Sequence, residues 1–567
     1  MREDILNAVK AAEGTREIEM LNIRPHVAKK NYCFQVFECN LGKALGAYLE
    51  ANGIKDNECL VVTSPRAHGA AVKALPQKYY YTYVTDTKTD KLDRFFDECG
   101  KDEYTALSQK ERDELDKRNE AAFRPYAELL VNRDASENQL KFFEDDTWIE
   151  AQKFFDERAT RPEEGKYHLN RTIENQKDIK LVIALGGGIA MDAGQYIASR
   201  IAGKPENLER KSRIDDAWNK DVKLICIPTV LSVNAAFCYK AALREKEKVA
   251  DASTAAPTSV TADTASGHYE VKYFSGLVQP EAILIDPDII LTAGDLNVVG
   301  SGDLLSCLTA SFDWKLNSLI ARNYHPFGMD VSKPFNQEIC DGAKELVGLL
   351  AENIDNLNAM RDYAVVLQDG HKNDKTHYDI LNGTGSATDV KNAELAMKAG
   401  EGLRFLGKAY HWVAEQSWIM QHTMWESASE HGMFDYMEYL CGTEFKHGQI
   451  IGLCVYFMSR LQENEHERAV SMIKRLKLDI TLNNLAAAQD KNENVTLERL
   501  IECLIGVKNF LTKGGYRYTI ISAKDITNDW IKEALRAYYK DFPMDYNGRS
   551  NKGSDELEAK IAELLPN

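Results

Sequence analysis

The chain has 567 residues, with 70 Lys plus Arg against 87 Asp plus Glu, so its formal net charge is −17. Hydrophobic residues make up 44% and charged residues 28%, a globular balance that excludes a disordered or collagen-like chain. The negative charge argues against nucleic acid or an anionic membrane as the main partner, because their phosphates would be repelled. No run of about 18 apolar residues occurs, so no membrane span is expected. The opening MREDILNAVKAAEGTREIEML has no apolar signal core. Eleven cysteines run from Cys33 to Cys503 without a C-x-x-C pair. That usage reads as reduced thiols in a cytoplasmic protein.

The first expected strand is Cys59–Thr63. A helical stretch around Ala67–Leu75 and a second strand near Tyr79–Thr85 complete a β-α-β rhythm. Lys88–Glu164 is crowded with Asp, Glu, Lys and Arg and reads as an insertion of charged surface helices, solvated or serving as a partner-binding arm. Leu181–Leu185 is a continuous apolar run, as expected for a strand buried on both faces of a parallel sheet. Glycines end it, and Ala190–Ile201 has helical spacing. Further buried strands are expected at Lys223–Ile227 and Ala282–Ile285. Residues 1–294 therefore read as an α/β nucleotide-binding domain with an insertion at about 88–164. Beyond Ala293 the segments LLSCLTASFDWKLNSLI, AELAMKAGEGLRFLGKAYHWVAEQSWIMQHTMWE and LERLIECLIGVKNFLTK have helical periodicity. Residues 295–567 read as an all-helical domain with a polar loop at about Asp369–Ala393.

Gly186, Gly187 and Gly188 sit between a buried strand and a helix. Glycines there let backbone N–H groups approach a pyrophosphate, and the helix N-terminus adds a positive dipole end. The spacing is not G-x-G-x-x-G, so an ordinary tight turn stands open beside nucleotide binding. Asp192, one turn into the helix, can accept ribose or substrate hydroxyls or simply cap the helix.

Several segments together carry a resemblance. GGGIAMDAGQ resembles the G-G-G-x-x-x-D-x-x-K stretch of the dehydroquinate-synthase-like superfamily, with Gln195 in place of the Lys. That superfamily includes glycerol dehydrogenases, iron-containing alcohol dehydrogenases and sn-glycerol-1-phosphate dehydrogenases. IPTVLSVNAAFCYK resembles its strand-end Pro-Thr motif through Pro228 and Thr229. PEAILIDPDIILTAGDLNVVGSGDLLSCLTASFDWKL resembles its domain junction. Gly300, Gly302, Asp303, Asp313 and Trp314 there look most like the glycerol-1-phosphate dehydrogenase branch. KHGQIIGLCVYF resembles its late His-Gly motif through His447 and Gly448. The fold implied is an N-terminal Rossmann-like parallel-sheet α/β domain followed by an all-helical, metal- and substrate-binding C-terminal domain.

The resemblance implies one divalent metal held by an Asp and two His. Asp303 and His447 match the first and last ligands, and carboxylate and imidazole suit zinc, nickel or iron. For the middle ligand, strict register puts Trp418 at the usual place. A shift of one helical turn makes His422 the ligand, with His411 and His431 as fallbacks. Iron-dependent members carry a further His four residues after the Asp; Cys307 stands there, which argues against an iron-type shell and leaves Cys307 as a thiolate ligand or a small buried hydrophobe.

The reaction implied is hydride transfer between NAD or NADP and dihydroxyacetone phosphate or sn-glycerol 1-phosphate. The cofactor side comprises Gly186, Gly187, Gly188, Asp192, Thr229, Ser232 and Asp86. Asp86 would accept ribose hydroxyls and favour NAD, or be a plain turn Asp. Asn234, Lys240 and Asp303 are expected around the substrate. Asp192 and Lys240 are the expected catalytic side chains, and a solvated lysine is the competing reading of Lys240. Alternatives are a glycerol or other polyol dehydrogenase, a cyclising lyase, or a non-catalytic descendant. The lyase branch carries Gly-Gly-Lys after Pro-Thr, whereas Phe237, Cys238, Tyr239 and Lys240 stand here. The expected partners are a small phosphorylated substrate and further copies of the chain in a homo-oligomer.

Overall fold

The computed structural model describes residues 2–23, 34–64, 79–84, 178–202, 222–238, 240–246, 269–275, 277–321, 335–368, 390–420, 422–487, 489–513 and 518–566. Residues 67, 71, 75 and 92 are also described. Asp86, the insertion at 88–164 apart from Leu92, and 369–389 of the polar loop lie outside the described residues.

Seven strands form one sheet: β1 (Arg16–Glu17), β2 (Gln35–Glu38), β3 (Cys59–Thr63), β4 (Tyr80–Tyr83), β5 (Leu181–Gly186), β6 (Lys223–Pro228) and β9 (Ala282–Ile285). Their spatial order is β1-β2-β9-β6-β5-β3-β4. Every pairing is parallel except β1 with β2. The chain runs outward from β3 to β4, then returns to β5 on the other flank of β3 and continues to β6 and β9. The order thus reverses between β3 and β5, and in open α/β sheets ligands bind beyond the strand C-termini at such a reversal.

The sheet is apolar on both faces. Val182, Ala184, Leu224 and Cys226 join a large core that also holds α3 (Gly188–Ile201) and the helical half. Leu181, Ile183, Ile225 and Ile227 pack against α1 (Arg2–Ala11) and α2 (Leu41–Asn52). Side chains alternate across a strand, so the continuous apolar run at Leu181–Leu185 feeds both cores. Gly194 on α3 permits that packing, since a Cβ there would lie 2.5 Å from the Cβ of Ala184.

The helical half contains α4 (Asp295–Ala321), α5 (Gln337–Glu352), α6 (Ile354–Gln368), α7 (Val390–Met420), α8 (Ser429–Cys441), α9 (His447–Gln462), α10 (Leu497–Lys513) and α11 (Asn528–Asp541). The parallel α/β half followed by a helical half is the architecture the sequence implied. No helix among the described residues is long and apolar enough to cross a membrane.

Two strand sets were not foreseen. β1 and β2 are only two and four residues long, and β2 ends in the charged Glu38. Glu38 is buried because Arg404 of α7 grips it from Nε and Nη2 at 2.8 and 3.1 Å. The antiparallel pair β7 (Lys240–Lys246) and β8 (Tyr269–Ser275) is rich in charge and forms its own two-stranded sheet. Neither set offers the apolar run that betrays a central strand.

Candidate metal centre and cofactor cleft

Gly186 ends β5 with φ +148°, and α3 opens at Gly187 with no side chain capping it. Its first N–H groups are therefore left for a ligand or solvent. A Cβ on Gly186 would lie 2.8 Å from that of Ala190. A Cβ on Gly187 would meet Val230 at 3.2 Å, and one on Gly188 would meet Val233 at 3.1 Å. The turn is thus a cradle that only glycines line this closely, and it fits the approach of a pyrophosphate.

The segment 229–238 links this cradle to the helical half. Thr229 N donates to Gly186 O at 2.9 Å, and Leu231 N donates to Oδ1 of Asn297 at 2.8 Å. Gln195 holds the segment from α3, its Nε2 donating to the carbonyls of Ala235 and Cys238. The residue that replaces the resembled Lys is thus a buried neutral tether.

Two glycines set the candidate metal centre. A Cβ on Gly302 of α4 would lie 2.0 Å from Gly448 O, and one on Gly448 of α9 would lie 1.8 Å from Val299 O. The backbones of α4 and α9 touch here, which places their neighbours Asp303 and His447 side by side. His447 Nε2 lies 3.3 Å from Asp303 Oδ1, and His431 Nε2, from α8, lies 3.5 Å from the same oxygen. The rings of His431 and His447 are 5.4 Å apart, and one ligand atom from each of Asp303, His431 and His447 falls within 4.8 Å of the others. One carboxylate and two imidazoles converging from three helices are a donor set suited to a borderline divalent cation such as zinc.

Charge shapes the centre. Burial disfavours the charged form of Asp303, but His447 and His431 outweigh it and hold the carboxyl well below its usual range. Burial likewise opposes the charge on His431, yet hydrogen bonds to Asp303 and Glu430 raise it to about 10. Glu426 is buried beside the centre and is lifted to about 8, chiefly by desolvation, although Ser417 Oγ donates to its Oε1 at 2.7 Å. Asp303, His431 and Lys240 all act on Glu426 electrostatically. Burial pushes the Cys238 thiol well up; Glu426, Asp303 and Asp192 add to this, and Lys240 opposes it. Cys238 Sγ donates to Oδ1 of Asn234 at 2.9 Å.

The structure thus gathers Asp192, Asn234, Lys240, Asp303 and His447 of the expected residues around one region. Thr229 and Ser232 are part-exposed on the segment that borders the glycine cradle. His422 is not brought to the cluster, and the fallback His431 stands there instead. The physical reason is that α7 ends at Met420, so the chain turns before another ligand can be offered from that helix. His422 falls in that turn, where its Nδ1 accepts from Met424 N at 3.2 Å and its ring packs edge-on to Trp314. His411 is also elsewhere, its Nδ1 3.1 Å from Ile18 O. Cys307 is buried, as a small hydrophobe would be. Glu426 and Glu430 were not singled out from the sequence; the signal was present as two acids four apart, the second immediately before His431.

No family model matches the chain, and no curated protein matches it. Solved structures do. A probable glycerol dehydrogenase from Sinorhizobium meliloti is 11% identical with TM-score 0.43, covering 92% of this chain and 95% of its own. A sulfoacetaldehyde reductase from Bifidobacterium kashiwanohense, in complex with NAD+, is 12% identical with TM-score 0.40, covering 89% and 95%. A glycerol dehydrogenase from Schizosaccharomyces pombe is 13% identical with TM-score 0.34, covering 89% and 92%. At these identities and scores the likeness bears no functional weight.

Proposed function

We propose that this chain is a metal-dependent, NAD(P)-linked oxidoreductase acting on a small alcohol or ketone. The carrying observation is the convergence of Asp303, His431 and His447 beside the segment that borders the glycine cradle. Asp303, His431 and His447 would hold the cation, and Gly186, Gly187 and Gly188 would take the pyrophosphate. When bound, the cation supplies Lewis-acid polarisation of a carbonyl oxygen and the nicotinamide supplies hydride. The rest falls to the chain. Asn234 and Lys240 line the substrate side, where Lys240 can bind an anionic group. Glu426, neutral at pH 7 in the metal-free protein, can deliver a proton to a developing alkoxide. A bound cation would draw its pKa down towards the working range.

The finer reading is dihydroxyacetone phosphate, with Lys240 opposite the phosphate. A second reading, an uncharged polyol or hydroxyketone, is favoured by the acidic company of Lys240: Asp192, Asp303 and Glu426 all act on the same thiol of Cys238. The test follows NADH and NADPH absorbance with dihydroxyacetone phosphate and with dihydroxyacetone, using metal-free protein refilled with zinc or nickel. Metal-dependent oxidation that His447→Ala abolishes supports the proposal, and the better substrate decides between the readings. Silence with both ketones and both cofactors sinks it.

A further inference from the structure

Glu430 is fully buried at the first turn of α8, immediately before His431. Its Oε1 lies 2.9 Å from Nδ1 of His431, and the same oxygen accepts from Ala428 N at 2.7 Å. Its Oε2 accepts from Oγ1 of Thr309 on α4 at 2.7 Å. The carboxylate is therefore clamped from two sides before it meets the ring. An oxygen already accepting from a backbone N–H is an acceptor for the ring as well, which places the ring proton on Nδ1. The other nitrogen, Nε2, is the one that faces Asp303. His447 has no such partner among the hydrogen bonds of the described residues, and its ring stands perpendicular to that of Phe434, with centroids 5.1 Å apart.

We propose that Glu430 is a positioning residue of the metal centre: it fixes the tautomer and ring plane of His431 so that Nε2 points at the cation beside Asp303. The inference rests on the metal reading above. It goes beyond that reading by assigning a role to a residue that touches neither cation nor substrate. Outer carboxylates of this kind orient a ligating imidazole and raise its basicity, and losing one typically weakens metal affinity by about 10- to 100-fold.

The experiment titrates Zn2+ alone into chelator-stripped full-length protein and records the visible spectrum of the Co2+ form, which reports coordination geometry without turnover. Glu430→Ala is expected to weaken Zn2+ binding about 10- to 100-fold and to alter the Co2+ spectrum. Glu430→Gln, whose Oε1 can still accept from Nδ1–H, should fall between it and wild type. Thr309→Val removes a clamp on Glu430 but leaves the ring contact, and should bind nearly as wild type. Wild-type affinity in both Glu430 variants would overturn the proposal, as would an equal loss in Thr309→Val and Glu430→Ala. Should Glu430→Ala fail to fold, Glu430→Gln decides alone. A wild type that takes up no Zn2+, with His447→Ala indistinguishable from it, overturns the metal reading itself and this inference with it.

Discussion

Gly448→Ala tests whether backbone contact between α4 and α9 builds the metal centre. The new Cβ would start 1.8 Å from Val299 O, and real Cβ atoms essentially never approach closer than 3.0 Å. The two helices must therefore separate by about 1.2 Å at this point, because the obstacle is backbone and cannot rotate away. Metal–ligand distances tolerate only about ±0.2 Å. His447 is the adjacent residue on α9 and Asp303 lies on the opposing helix, so the displacement falls on the ligand spacing itself. Overpacking of this kind costs about 1–3 kcal/mol, and a backbone obstacle puts the cost at the upper end. Urea unfolding should show that loss, and calorimetric Zn2+ titration of the folded variant should show binding greatly weakened. Gly348→Ala on α5 is the control, since nothing lies within 4 Å of its Cβ. It should gain roughly 0.5–1 kcal/mol from helix propensity and leave Zn2+ binding unchanged. A folded Gly448→Ala that binds Zn2+ like wild type would show that the contact between the α4 and α9 backbones does not set the ligand spacing.

Three further outcomes follow from the same geometry. Arg404→Met strands Glu38, which among the described residues keeps only the half-exposed Arg16 at 3.0 Å; breaking such a buried pair costs about 3–5 kcal/mol, and the double variant with Glu38→Gln should recover part of it in urea unfolding. His431 is raised to about 10 in the metal-free protein, so Zn2+ uptake at pH 8 should release a proton and strengthen as pH rises, read by calorimetry in buffers of different ionisation enthalpy. Asp313 is raised to about 7, mainly by burial and then by Glu430. Its folded pKa exceeds the unfolded value of about 3.9, so its stabilising contribution is full below that value and is lost as pH rises through about 7. Wild type should therefore gain stability relative to Asp313→Asn as pH falls from 8 to about 5, and a pH-independent difference would contradict this.

The central sheet could be read from sequence because apolar runs such as Leu181–Leu185 and Ala282–Ile285 carry their own burial. The helical half could be read from its periodicity, and Asp303 and His447 only through the resemblance of the motifs that contain them. The middle ligand could not. Strict register along a single helix pointed to Trp418 and a one-turn shift to His422, whereas the structure ends α7 at Met420 and presents His431 from the next helix. A turn between two helices shifts which side chain reaches a site without altering local periodicity. Glu38 and β2 were missed for a related reason: the partner that buries the carboxylate, Arg404, lies 366 residues away.

The same long-range logic explains how the cleft is held. Asp286, Asn297 and Asp313 are buried polar side chains whose distant partners leave no local trace in the sequence, although Asp313 lies in a motif that carries the resemblance. Asp286 accepts from Leu41 N, Asn297 from Leu231 N, and Asp313 from both Ser429 N and Ile520 N. Each thus satisfies the orphan N–H of a distant helix start or loop, a group that would cost about 1–3 kcal/mol if buried unpaired. Asp313 joins the first residue of α8 to the first residue of the one-turn helix Ile520–Ala523 and lies close enough to Glu430 to feel its charge. The apolar cores bring the helices together, and these caps fix where along each helix the chain begins. The position of His431, two residues after Ser429, follows from Asp313 and Glu430 rather than from hydrophobic packing alone.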